Sequence, residues 1–245
     1  MARLYCPEES LCGEYIVINE RDQVHYLCDV LRLKIKDDVF VFNGRGKEYH
    51  CQIQKLSPKG ITLLKKEEIK MRLQWKINLT IASALPKQKR RFDDLVDKLS
   101  QLGVDRIIPM VTERVIVHWD YNQRQQHHQR WCKIARQACI QSGRNKLPIV
   151  EPIKEINKIL AHTEPYDLKL IPTLLEKKRN FRDVLGEPLP GNALILIGPE
   201  GDFTPQELAQ AKETGFIPVF LGDLVLRLDT ASIAVAAFFR LYETR

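Results

Sequence analysis

The chain of 245 residues lacks any apolar run long enough to cross a bilayer; the longest, Ile233–Phe239, has seven residues, against the ~20 that a helical span requires. Its six cysteines, at 6, 12, 28, 51, 132 and 139, include no C-x-x-C pair. That leaves a zinc site without its usual spacing, and the chain is too long and too poor in cysteine for a disulfide framework. No apolar core of a secretory signal follows Met1, so reduced thiols in a cytoplasmic protein are expected. Also missing are G-x-x-x-x-G-K-[ST], a G-x-G-x-x-G after a strand, G-x-S-x-G and H-E-x-x-H. These absences argue against a phosphate-cradling loop, a dinucleotide fold, a serine hydrolase elbow and a zinc protease helix. His127 and His128 lie in a Gln/Arg-rich helix start and read as a solvated face rather than metal ligands. Asn78-Leu79-Thr80 matches a glycosylation acceptor but falls inside an apolar strand pattern, so it is set aside.

What is present begins with an ordinary globular composition, 44% hydrophobic and 28% charged, which excludes a mainly disordered chain. The net charge of +7 is unevenly spread: residues 1–72 carry +2, residues 73–160 carry +8 and residues 161–245 carry −3. A basic middle third beside a mildly acidic last third suggests a polyanionic partner next to a separate small-molecule site. The densest cluster is Lys87, Lys89, Arg90 and Arg91, and Arg114 and Arg144 continue it.

Periodicity divides the chain near residue 72. The first part reads as short strands, Glu14–Ile18, Asp38–Phe42, Glu48–Gln54 and Ile61–Leu64, with a short helix over Asp22–Leu33. Asn43-Gly44-Arg45-Gly46 is a hairpin turn and Ser57-Pro58-Lys59-Gly60 a second turn. This predicts a small, mostly β domain over residues 1–72, a compact barrel. From residue 73 to 245 strands alternate with helices. Strands are expected at Ile77–Ala84, Val104–Val111, Asp167–Ile171, Ala193–Ile197 and Phe216–Leu221. Helices are expected at Phe92–Leu102, Gln123–Gln141, after the capping box Thr204-Pro205-Gln206-Glu207, and at Thr230–Tyr242. The alternation predicts an α/β fold with a largely parallel sheet.

Two glycine loops carry the candidate chemistry. Gly198-Pro199-Glu200-Gly201-Asp202 follows one predicted strand, and Gly222, leading into Leu226-Arg227-Leu228-Asp229-Thr230, follows another. In an open parallel sheet ligands bind beyond the carboxyl ends of strands, and glycine lets backbone approach them closely.

These residues resemble a known family. Ile197-Gly198-Pro199-Glu200-Gly201, Leu221-Gly222 and Leu226-Arg227-x-Asp229-Thr230-Ala231 resemble the C-terminal signature of the ribosomal RNA small subunit methyltransferase E family, of the SPOUT superfamily. Val30-Leu31-Arg32, Leu85-Pro86-Lys87, Lys98-x-x-Gln101-Leu102-Gly103-Val104, Thr112-Glu113-Arg114, Arg130-Trp131 and Gln141-Ser142-x-Arg144 extend the likeness over nearly the whole chain. The resemblance implies a PUA-like RNA-binding β-barrel over residues 1–72 and a SPOUT methyltransferase domain with a deep trefoil knot over residues 73–245. It further implies a homodimer, S-adenosylmethionine as methyl donor, and methylation of a uridine N3 in 16S rRNA or the small ribosomal subunit. Carried over, the donor would be held by Ile197, Gly198, Pro199, Glu200, Gly201, Leu221, Gly222, Leu226, Arg227 and Leu228, with Thr230 nearby. Two positions depart from the family pattern: Asp202 stands where a second glycine is usual, and Asp229 where glutamate is usual.

The expected mechanism is in-line methyl transfer, in which a carboxylate (Glu200 or Asp229) or water removes the N3 proton and Arg227 stabilises negative charge on the base oxygens. Arg3, Arg32, Arg45, Lys87, Lys89, Arg90, Arg114 and Arg144 are the expected phosphate contacts. A non-catalytic RNA-binding factor of the same fold, or a SPOUT methyltransferase acting on another RNA, are the competing readings.

Overall fold

The computed structural model describes residues 2–57, 59–69, 75–115, 119–174, 179–185 and 189–243. The chain divides into two compact units, one of Met1–Gln74 with Cys139–Leu147 and one of Trp75–Ala138 with Pro148–Arg245.

The first unit is built on a five-stranded sheet of β1 (Ala2–Tyr5), β2 (Tyr15–Ile18), β3 (Asp38–Phe42), β4 (Glu48–Ser57) and β5 (Gly60–Ile69), in the order β1-β3-β4-β5-β2. Only the β1–β3 pair is parallel. The alternation of β2 puts Ile16 and Ile18 inside and leaves Tyr15 and Val17 outside. β1 carries no such signal and was not expected. The expected Asp22–Leu33 helix is one α-helical turn, α1 (Arg21–His25), followed by a π-turn to Val30. The anticipated turn at 43–46 forms, with Gly44 at φ +74° and Gly46 at φ +105°, values that favour glycine. A partner of that turn comes from far along the chain: the Gly46 amide donates to the Asn145 carbonyl at 3.1 Å, and the Leu147 amide to the Gly44 carbonyl at 2.8 Å. The charged residues Lys65–Ile69 continue β5, and the expected boundary at residue 72 lies outside the described residues.

The second unit is an eight-stranded parallel sheet. Its strands are β6 (Asn78–Ala84), β7 (Arg106–Val111), β8 (Ile149–Val150), β9 (Lys154–Glu155), β10 (Leu168–Pro172), β11 (Arg179–Asn180), β12 (Asn192–Ile197) and β13 (Ile217–Phe220). They run in the order β11-β13-β10-β12-β6-β7-β8, with β9 also paired to β7. The central strands β6 and β12 are buried almost throughout because both faces are covered; β12 reads as a continuous apolar run, while β6 also buries Thr80 and Ser83. The helices are α2 (Lys89–Gln101), α3 (Tyr121–Ser142), α4 (Ile156–Leu160), α5 (Pro205–Glu213) and α6 (Leu228–Glu243). In α2 the spacing of Phe92, Leu95, Val96 and Leu99 makes one buried face. It ends at Leu102, and Gly103 takes φ +83° just beyond.

His127 and His128 depart from the expected solvated face. Both are half-buried; the His127 ring stacks on Trp119 with centroids 4.0 Å apart, and His128 Nε2 lies 2.8 Å from the Val150 carbonyl. Trp119, outside α3, covers His127 and Trp131, and the Val150 carbonyl on β8 meets His128.

Candidate cofactor cleft

β10, β12 and β13 are neighbours in the sheet, and the chain leaving each forms one wall of a cleft beyond their carboxyl ends. Pro172, Thr173 and Leu174 make the first wall, Ile197 to Glu200 with Asp202 the second, and Phe220 to Gly222 with Leu224 to Leu226 the third. Leu228 and Ala231, from the first turn of α6, complete it. Counted out to its open mouth, solvent included, the cleft holds about 630 Å³. Its lining is mostly apolar side chains with exposed backbone, the arrangement that suits an organic ligand fixed by a few polar contacts.

Local chemistry explains why the walls take this shape. The 198–204 loop folds over the Phe203 ring so closely that a Cβ at Gly198 would lie 2.9 Å from it. Asp202 adopts φ +59°, a left-handed conformation that aspartate tolerates better than most residues. Its carboxylate is turned onto neighbouring backbone: Oδ2 accepts from the Leu174 amide at 2.7 Å and the Thr173 hydroxyl at 2.9 Å, and Oδ1 from the Phe203 amide at 2.8 Å. The Arg114 guanidinium donates to the Gly201 carbonyl and, at 3.4 Å, to that of Phe203. Where the loop enters α5, the capping box is complete: Thr204 Oγ1 accepts from the Glu207 amide at 3.2 Å, and Glu207 Oε2 from the Thr204 amide at 2.9 Å. On the third wall Gly222 has φ +133°, and a Cβ there would meet no atom within 4 Å. Space therefore places no demand on this position; the positive φ is what favours glycine.

The structure brings together Ile197, Gly198, Pro199, Glu200, Leu221, Gly222, Leu226 and Leu228, all of them expected donor-site residues, on the cleft walls. Gly201, Arg227 and Thr230 are exposed and lie off the walls. Of the expected catalytic groups, Glu200 is on the wall, its Oε1 3.7 Å from Arg91 Nη1. Arg227 immediately precedes α6, and Asp229 sits half-buried in its first turn. A carboxylate there is favoured by the positive end of the helix dipole.

Pro172, Thr173 and Leu174 were not anticipated as site residues. The strand before them was legible, but its place beside β12 rests on pairings such as Leu170 with Ile195, which no local pattern announces. Leu224, Val225 and Ala231 were also missed, although they lie inside or beside the motif that marked the loop.

Among the expected phosphate contacts, Arg32, Arg45, Lys87, Arg90 and Arg114 are exposed and Arg144 is half-buried. The Lys89 side chain lies outside the described residues. Arg3 is turned inward: its side chain is 11% exposed, pairs with Glu48 at 2.8 Å and donates to the Cys139 carbonyl at 3.0 Å, with its guanidinium 4.7 Å from the Phe42 ring centroid. Among the described residues, no group of three or more His, Cys, Asp or Glu side chains is placed to hold a metal ion, and no helix is long and apolar enough to cross a membrane.

A family model described as an RNA methyltransferase domain matches residues 73–240, and one described as an RNA methyltransferase PUA domain matches residues 18–66. Ribosomal RNA small subunit methyltransferase E of Rickettsia conorii is 32% identical over 243 residues, 98% of this chain and 95% of that protein. The enzyme of the same name from Bacillus subtilis is 27% identical over 93% of this chain and 87% of its own length. The crystal structure of a Neisseria gonorrhoeae ribosomal RNA small subunit methyltransferase E bound to S-adenosyl methionine superposes with a TM-score of 0.88, at 29% identity, over 99% of this chain and 98% of that one. With a PUA domain, a parallel α/β sheet and a cleft walled by the glycine loops, the chain belongs to the ribosomal RNA small subunit methyltransferase E family.

Proposed function

We propose that this protein is an S-adenosylmethionine-dependent methyltransferase that methylates N3 of a uridine in 16S ribosomal RNA. The observation that carries the reading is the cleft itself: three parallel strands deliver loops, two of them glycine-bearing, to one cavity, in a chain whose fold matches an S-adenosyl methionine complex over 99% of its length. The donor would lie against the backbones of Ile197–Glu200, Leu221–Gly222, Leu226 and Leu228, with Thr173 and Leu174 on the β10 wall.

The bound donor supplies an electrophilic methyl group. The chain's own residues align the acceptor and manage the proton that N3 must lose. Glu200, Asp229 or a water takes that proton. Arg227, exposed at the start of α6, is free to reach the base oxygens and stabilise the charge that develops there. The target base must leave any stack to enter a cleft of this size, so an unpaired or flipped nucleotide is the substrate.

The start of α2 supports a polyanionic substrate. Lys89, Arg90 and Arg91 occupy its first turn with no acidic residue among them. Cations at a helix N-terminus oppose the dipole and one another, a cost that an anionic ligand reverses. Lys87 and Arg90 here, and Arg32, Arg45 and Arg144 in the first unit, are the proposed phosphate contacts. The domain reading remains residues 1–72 as a PUA-like barrel and residues 73–245 as the methyltransferase domain. Insertion of β12 between β10 and β6, with β13 on the far side of β10, is consistent with a trefoil knot. Leu224 and Val225, 80% and 72% exposed at the cleft rim, favour a homodimer that covers them.

Incubation with unmodified small subunits and labelled donor, followed by mapping of the modified nucleotide, tests the reading. N3-methylation at a uridine of 16S rRNA is expected; methyl incorporation only into tRNA or large-subunit RNA overturns the substrate, and no binding of the donor in calorimetry overturns the enzyme. Arg227→Ala is expected to lower kcat by roughly 10²–10³-fold with donor affinity unchanged. Unchanged turnover would remove Arg227 from the mechanism.

A further inference from the structure

We infer that Asp202 is a positioning residue that straps the β10 and β12 walls of the cleft together and so sets affinity for the methyl donor. The inference rests on the proposed donor site. Asp202 lines the cleft, yet none of its geometry is that of a proton acceptor waiting for substrate. Oδ2 is held by two donors, the Thr173 hydroxyl and the Leu174 amide, and Oδ1 by the Phe203 amide. Thr173 is buried, and its own amide donates to the Val219 carbonyl at 3.2 Å. One carboxylate on the β12 loop thus reaches the end of β10, at a residue whose backbone is itself paired with β13. Hydrogen bonds to an ionised acceptor are about twice as strong as neutral ones, and three on one side chain order the loop that bears them.

The left-handed backbone at Asp202 makes the test clean. Alanine would add strain at φ +59°, whereas glycine accepts this conformation and removes only the strap. Asparagine retains one carboxamide oxygen for Thr173 and Leu174 but turns an N–H₂ toward the Phe203 amide, so it should restore part of the function.

The dissociation constant for S-adenosylmethionine, by titration calorimetry, and the KM and kcat for methyl transfer are measured for the wild type, Asp202→Gly, Asp202→Asn, Thr173→Val and the Asp202→Gly/Thr173→Val double variant. Asp202→Gly is expected to weaken donor binding and raise its KM about 10-fold, with kcat within about 2-fold and the thermal midpoint within about 2 °C. Asp202→Asn should fall between it and the wild type, and Thr173→Val should add nothing once Asp202 is glycine. Wild-type affinity in Asp202→Gly overturns the strap. So does a loss of affinity that tracks a loss of thermal stability with no rescue by asparagine, because that is a folding defect. Absence of binding by the wild-type protein would instead overturn the donor site, and the strap with it.

Discussion

Arg240 shows how far a single side chain can organise this protein. It is 4% exposed, and its guanidinium meets Asp105 at 2.7 Å, Glu243 at 2.6 Å, the Gly103 carbonyl at 2.7 Å and the Ile77 carbonyl at 2.8 Å, beneath the Trp75 ring. Removing it leaves two carboxylates without their cation, so Arg240→Met should destabilise the fold by ~3–5 kcal/mol in urea titration; a change below about 1 kcal/mol would mean that water takes over its role. The buried thiols give a second residue-level prediction. Burial pushes Cys51 up to about 12 and Cys139 up to about 11, and raises Cys6. Their reactive thiolate is therefore scarce near neutral pH. Exposed Cys12 should react with a maleimide in the native protein, and Cys6, Cys51 and Cys139 only after unfolding, as peptide mass mapping would read. Arg240 and Arg3 were both beyond sequence reasoning for one reason. Arg240 lies in a helix whose apolar residues were legible, but its partners at 77, 103 and 105 are more than 130 residues away. Arg3 looked like one more phosphate contact, and only its contacts with Glu48 and Cys139 reveal an internal role.

Elements were legible where local chemistry alone determines them. The α5 capping box could be read because threonine, proline and glutamate act within four residues of one another, and its two reciprocal hydrogen bonds form. β7 and β12 announced themselves as apolar runs because each is covered on both faces. β8, β9 and β11, two residues each, carry no period to detect, and β1 owes its place to pairing with β3 rather than to pattern. Glu207 separates the two kinds of information. Its Oε2 completes the cap, but its Oε1 also accepts from the Glu113 amide at 2.9 Å, tying α5 to the segment after β7. Thr204→Ala should therefore cost ~1 kcal/mol of stability, the ordinary value for a lost cap. Glu207→Ala should cost more, because it orphans backbone donors on two segments, and denaturant midpoints of the two variants give the comparison. Equal costs would reduce Glu207 to its capping role.

At the scale of the whole molecule, the glycine motifs pointed to the cleft but not to its first wall, because strand order is a property of the assembled sheet. β10 could be read as a strand; that it lies between β12 and β13, and so sends Thr173 and Leu174 into the site, could not. Charge is the opposite case. It can be counted without a fold, and the +8 carried by residues 73–160 makes its own prediction. If Arg32, Arg45, Lys87, Arg90 and Arg144 neutralise phosphates, RNA binding releases a counterion at each contact, and affinity should fall roughly 100-fold between about 50 and 200 mM salt. Lys87→Ala and Arg90→Ala should each flatten the slope of log affinity against log salt by about 0.7–0.9. Arg3→Ala supplies the contrast. Its charge is already met by Glu48, so it should lower thermal stability and leave the salt slope unchanged, since a cation facing inward has no counterion of RNA to displace. A slope that responded to Arg3 and ignored Lys87 and Arg90 would move the RNA path away from the start of α2.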